Sequence, residues 1–117
     1  MTPAGFALPA VYEGATWEGI NLITLTNRQS GRPINLKNAE VEMIYRRVGE
    51  KAQRLAFGVG GGITIVSDVE GKLRVEPQIL PLPAGLYYFE LFTRLAAGST
   101  LPILAGTQTI ARLGVPS

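Results

Sequence analysis

The sequence predicts an all-β domain, an antiparallel β-sandwich of about seven or eight strands with Greek-key connections, and three observations predict it. Fourteen glycines and eight prolines lie between short apolar runs, the pattern of many strands joined by turns. Two segments, Ala39 to Arg46 and Leu86 to Leu95, divide into two faces at a two-residue repeat, with Ala39, Val41, Met43 and Tyr45 together in the first and Tyr87, Phe89 and Leu91 in the second. No stretch carries apolar residues at helical spacing. A closed barrel is the second arrangement that fits. With 117 residues, 46% of them apolar and 17% charged, the chain suits one packed domain rather than a disordered one.

Met1 to Pro9 is rich in proline and glycine and reads as an arm, so residues 1–10 are set apart from a sandwich spanning 11–112 and a tail of 113–117. Removal of Met1 to Pro9 is expected to leave the domain folded. Val11 to Asn27 reads as one strand or two short ones. Ile20 and Leu22 fall on one face and Ile23 and Leu25 on the other, and Gly19 and Asn21 make a bulge or a change of sheet plausible. Trp17 is assigned to the core, where its large area stabilises most. Ser30, Gly31 and Pro33 mark a turn.

In the next strand Ala39, Val41, Met43 and Tyr45 face inward, opposite Glu40, Glu42, Ile44 and Arg46. Gly49 to Lys51 turns the chain into Gln53 to Phe57, and Gly58 to Gly62 separates that run from Ile63 to Val66. Asp68 to Gly71 turns it again into Lys72 to Glu76. Pro77, Pro81 and Pro83 make Pro77 to Gly85 a crossing loop with room for one helical turn. Leu86 to Leu95 and Leu101 to Arg112 then pair across a tip at Ala97 to Thr100.

The residue types argue against catalysis. The absence of histidine removes the commonest general base and metal ligand, and the absence of cysteine removes thiolate chemistry and disulfides. Asp68 is the single aspartate, and Glu40 and Glu42 project to solvent, so a carboxylate pair would need distant glutamates to converge. Gly58 to Gly62 lacks the Lys-Ser/Thr and the helix that a phosphate loop requires. The expectation is therefore no enzyme, no catalytic residue, no cofactor and no metal. Arg46, Arg47, Lys51 and Arg54 form a basic cluster diluted by Glu40, Glu42 and Glu50, so nucleic acid is not an expected partner. No apolar run is long enough for a spanning helix, and no membrane partner is expected. Ile44, Tyr88 and Phe92 fall on outward faces, with Arg46 and Arg94 beside them. These five residues are the candidate protein interface.

The order of motifs adds a setting. Gly14-Ala15-Thr16-Trp17, Gly31-Arg32-Pro33-Ile34-Asn35-Leu36, Gly71-Lys72-Leu73-Arg74-Val75, Leu82-Pro83-Ala84-Gly85-Leu86-Tyr87-Tyr88-Phe89-Glu90-Leu91 and Leu104-Ala105-Gly106-Thr107 follow one another along the chain. This resembles the immunoglobulin-like domains of tailed-phage virion proteins, including the N-terminal domain of baseplate upper proteins. The resemblance covers Tyr12 to Ile110 and rests on turn and core positions. Glu90, Gln108 and the proline-rich Pro77 to Pro83 depart from the family pattern.

The resemblance implies an immunoglobulin-like sandwich acting as an adaptor in a virion tail, baseplate or neck. It implies other virion proteins as partners, a three- or six-fold homo-oligomer, synthesis in the host cytoplasm and residence in the virion. Tyr87 resembles the buried tyrosine of the corner before a long strand. The alternatives are a carbohydrate- or receptor-binding module at the phage tip, with glycan as ligand on Tyr88 and Phe92, and a capsid decoration protein.

Overall fold

The computed structural model describes residues 5–112. It is all-β, with eleven strand segments among the described residues: β1 (Gly5–Ala7), β2 (Val11–Tyr12), β3 (Thr16–Trp17), β4 (Ile20–Thr24), β5 (Glu40–Arg47), β6 (Gln53–Gly58), β7 (Ile63–Ser67), β8 (Lys72–Val75), β9 (Gln78–Ile79), β10 (Gly85–Arg94) and β11 (Thr100–Ala111). The larger sheet runs β1-β11-β10-β5-β6, with β2 also on β11; the others are β4-β8-β7 and the short pair β3-β9.

A single apolar cluster draws on all of these sheets. Val41, Met43, Tyr45, Tyr87, Phe89, Leu91 and Ile110 come from the larger sheet, and Ile63, Leu73, Val75 and Trp17 from the smaller ones. The alternation of β5 and β10 is the cause: every second side chain points into the cluster, and β10 pairs antiparallel with β5 from Tyr87 opposite Arg47 to Arg94 opposite Glu40. Tyr45 packs its ring against Phe57 and Phe89 at centroid distances of 6.5 and 6.2 Å. The expected all-β fold and the core places of Trp17 and Tyr87 are found.

Interruptions separate the eleven segments from the seven or eight strands expected. Between β3 and β4, Gly19 sits at φ +75°, and a Cβ there would lie 2.1 Å from the Val75 carbonyl oxygen, so only glycine passes. Across from it Pro77, which has no N–H to donate, divides β8 from β9. Between Ile20 and Ile23 the register against β8 shifts, with Ile20 opposite Val75 and Ile23 opposite Leu73. The extra residue turns both isoleucines toward the core and leaves Leu22 exposed, where alternation had put Ile20 and Leu22 together.

The segment Pro77 to Gly85 has no helical turn. Gln78–Ile79 pairs with Thr16–Trp17, Leu80 and Leu82 are buried, and the Tyr87 hydroxyl donates to the Pro83 carbonyl at 2.6 Å, pinning the corner before β10. Prolines suit this path because a chain crossing between sheets has few ladder bonds to lose.

The N-terminal segment differs most from expectation. Gly5–Ala7 is a strand of the larger sheet, parallel to β11, with Gly5 opposite Ala105 and Ala7 opposite Thr107. The Leu8 amide donates to the Thr107 carbonyl at 3.0 Å, and Leu8 is 8% exposed within the core cluster. Gln108, 1% exposed, accepts from the Tyr45 hydroxyl at 2.5 Å and donates through Nε2 to the Pro9 carbonyl at 3.2 Å. Residues 5–10 are therefore part of the sandwich rather than an arm outside it. The remainder of the expected arm, residues 1–4, and the expected tail, residues 113–117, lie outside the described residues.

Candidate interaction surface

The outward face of the larger sheet is set by the same registers that build the core. On β10, Leu86, Tyr88, Glu90, Phe92 and Arg94 alternate with the buried Tyr87, Phe89, Leu91 and Thr93. On β5, Glu40, Glu42, Ile44 and Arg46 point the same way. Pairing places Tyr88 opposite Arg46, Glu90 opposite Ile44, Phe92 opposite Glu42 and Arg94 opposite Glu40. All five candidate residues, Ile44, Arg46, Tyr88, Phe92 and Arg94, thus share one face.

Contacts within this face are those of cross-strand neighbours. The Arg46 guanidinium carbon lies 6.0 Å from the centre of the Tyr88 ring, a cation–π distance. Arg94 Nη1 stands 3.4 Å from Glu40 Oε2 in an exposed ion pair. Tyr88 and Leu86 are each 45% exposed, while Ile44 and Phe92 are half-buried against their neighbours. Beyond β10 the face continues onto β11 with Pro102 opposite Phe92, Ala105 opposite Glu90 and Thr107 opposite Tyr88. Beyond β5 it continues with Ala56 opposite Ile44.

Sequence reasoning missed the β11 part of this face. The run Leu101 to Leu104 is apolar or proline throughout, so it carries no alternation, and the register shifts between Leu91 and Phe92. Ile103 is the extra residue of that shift. The signal that would have found these residues is pairing with β10, which a single strand does not contain.

A shallow depression of about 420 Å³ borders the face, lined by Glu40, Glu42, Val59, Phe92 and Arg94 among others. A larger one of about 840 Å³ lies at the end of the sandwich, between the loop after β4 and the start of β11, with Leu25, Ile34, Leu101 and Ile103 in its wall. The first holds two carboxylates, Glu40 and Glu42, of which Glu40 pairs with Arg94, and the second is lined by none; among the described residues no three metal-ligating side chains come together.

The basic cluster divides in the structure. Arg54 holds Glu50 through two hydrogen bonds of 2.9 and 2.7 Å, and this bonding keeps the Glu50 carboxyl below the usual carboxylate range. Arg46 belongs to the outward face, and Arg47 lies beside Gly85. The glycine-rich stretch carries the chain from β6 to β7, closed by Gly60 N–H to Ile63 O and Gly61 N–H to Gly58 O bonds of 3.0 and 2.9 Å. No protein-family model matches this chain, and no curated protein matches it.

Proposed function

We propose that the chain is a structural assembly module of a tailed-phage virion that docks on a neighbouring virion protein through the outward face of β5 and β10. The observation that carries the reading is the gathering of Ile44, Arg46, Tyr88, Phe92 and Arg94 on one sheet face. Tyrosine, phenylalanine and arginine are the residues that protein interfaces concentrate, and a pleated face built on central strands is rigid before it binds. The order β11-β10-β5-β6 in one sheet and β4-β8-β7 in the other supports an immunoglobulin-like reading, as does the Tyr87 corner.

The test uses a host producing particles that contain the chain. Tyr88→Glu and Ile44→Asp place charge on the face without touching the core, so the protein should fold and fail to enter particles, as measured by mass spectrometry of purified particles. Undiminished incorporation of both variants overturns the role of this face. Absence of the wild-type chain from particles, together with glycan-array binding that Tyr88→Ala abolishes, overturns the assembly reading in favour of a sugar-binding module.

A further inference from the structure

Residues 5–12 lie along β11 as one extended segment held in a slot. Gly5, Phe6 and Ala7 run parallel to Ala105, Gly106 and Thr107, and Val11 and Tyr12 to Ile110 and Ala111. Three residues, 8 to 10, lie between Ala7 and Val11, while two, 108 and 109, lie between their partners Thr107 and Ile110. Pro9 falls in that mismatch, where its missing N–H leaves no ladder bond unmade. The slot has three parts: the outer edge of β11, the space that buries Leu8 and the Gln108 side chain. That side chain, buried and fixed by Tyr45, presents its N–H to the Pro9 carbonyl.

The segment leaves this slot through one turn. Ala15 N–H bonds to the Tyr12 carbonyl at 2.9 Å, and Gly14, at φ +79°, has open space where a side chain would stand. Glu13 ties the turn to the rest of the domain through two bonds, its amide donating to the Ala111 carbonyl and its carboxylate accepting from the Ala84 amide, both at 2.8 Å. A strand paired along one edge in two short runs opens at less than the cost of global unfolding.

The geometry points to strand exchange: the slot on β11 accepts residues 5–12 of a second copy of this chain. The bonds that fill the slot depend on the sequence of the segment and not on which copy it comes from. A second copy's segment therefore buries Leu8, pairs with Thr107 and satisfies Gln108 as the cis segment does. In a closed exchange each slot is filled and no buried polar group is left open, so the opposing term is association entropy and protein concentration sets the balance. The slot uses the backbone edge of β11, Ala105 and Thr107 included, whereas the outward face is a matter of side chains, so this inference does not rest on what covers that face.

The chain has no cysteine, so a disulfide reports the exchange cleanly. Two differently tagged full-length chains, one Ala7→Cys and one Thr107→Cys, are co-expressed, oxidised and mapped by mass spectrometry. The double variant in a single chain shows that the bond forms between these register partners. A second pair, Gly5→Cys with Ala105→Cys, guards against a variant that folds poorly. The expected result is an inter-chain link between positions 7 and 107, or 5 and 105, doubling the mass on denaturing gels. Efficient intramolecular linkage in the double variants with no inter-chain link between the single ones overturns the proposal.

Discussion

Gln108 offers the sharpest quantitative test of how the sandwich is closed. Its side chain is 1% exposed and links two groups distant in sequence, the Tyr45 hydroxyl at 2.5 Å and the Pro9 carbonyl at 3.2 Å. Tyr45→Phe keeps the ring against Phe57 and Phe89 and leaves the Gln108 carbonyl oxygen buried without its partner, a loss of about 2 kcal/mol. Gln108→Leu strands the Tyr45 hydroxyl and removes the bond to Pro9, a loss of about 3 kcal/mol.

In the double variant the buried hydroxyl and amide are gone together. Its loss is expected below that of Gln108→Leu alone, at about 2 kcal/mol, because no hydroxyl is left stranded, which gives a coupling of about 3 kcal/mol. At roughly 2 cal/mol/K of unfolding entropy per residue, a domain of this size loses about 4 °C in melting temperature per kcal/mol. The single variants should therefore melt about 8 and 12 °C below wild type, by circular dichroism at neutral pH, and the double variant about 8 °C below it. Additive losses, or single losses under about 0.5 kcal/mol, would refute the buried link.

Tyr45 also makes stability depend on alkaline pH. Burial raises its hydroxyl pKa above the ordinary value of 10.0, so the folded state keeps a proton that the unfolded state gives up. The contribution is full below about pH 10 and falls above it by up to about 1.4 kcal/mol per pH unit; in urea titrations the stability gap between wild type and Tyr45→Phe should narrow there, and parallel curves count against it. Gly19→Ala should unfold or severely destabilise the protein, because its Cβ would strike the Val75 carbonyl in a left-handed backbone; a melting temperature within 2 °C of wild type contradicts the break between β3 and β4. Tyr87→Phe should cost about 1 kcal/mol through the lost bond to Pro83, read by chemical denaturation, and no loss would mean the corner is held by packing alone. Deleting residues 1–9 should lower the melting temperature by at least 8 °C, since Leu8 burial and the Pro9 contact go together; an unchanged melt would return the segment to the status of an arm.

The parts of the fold legible in the sequence are those with local periodicity. Val41, Met43 and Tyr45, and Tyr87, Phe89 and Leu91, announce their faces through a two-residue repeat that each strand carries by itself. Gly5–Ala7 carries no such repeat. Its partner lies a hundred residues away, parallel pairing leaves no turn signature, and the flanking prolines read as loop. Gln108 is legible only as an oddity, since the reason for a polar residue in the core is the Pro9 carbonyl and the Tyr45 hydroxyl that the fold brings to it. For the surface, alternation placed Ile44, Arg46, Tyr88, Phe92 and Arg94 on outward faces, while the register that makes one face of two strands belongs to pairing. Pro102, Ala105 and Thr107 stayed hidden because the shift at Ile103 breaks the phase of β11.

The proposed docking role requires that another protein cover the outward face of β5 and β10 in a particle that contains the chain. Electron cryo-microscopy of purified particles containing the chain tests it most directly. Density from a neighbouring protein is expected over Tyr88, Ile44 and Phe92, with Arg46 and Arg94 at its margin. A particle in which this face looks onto solvent while the chain is held by another surface would contradict it.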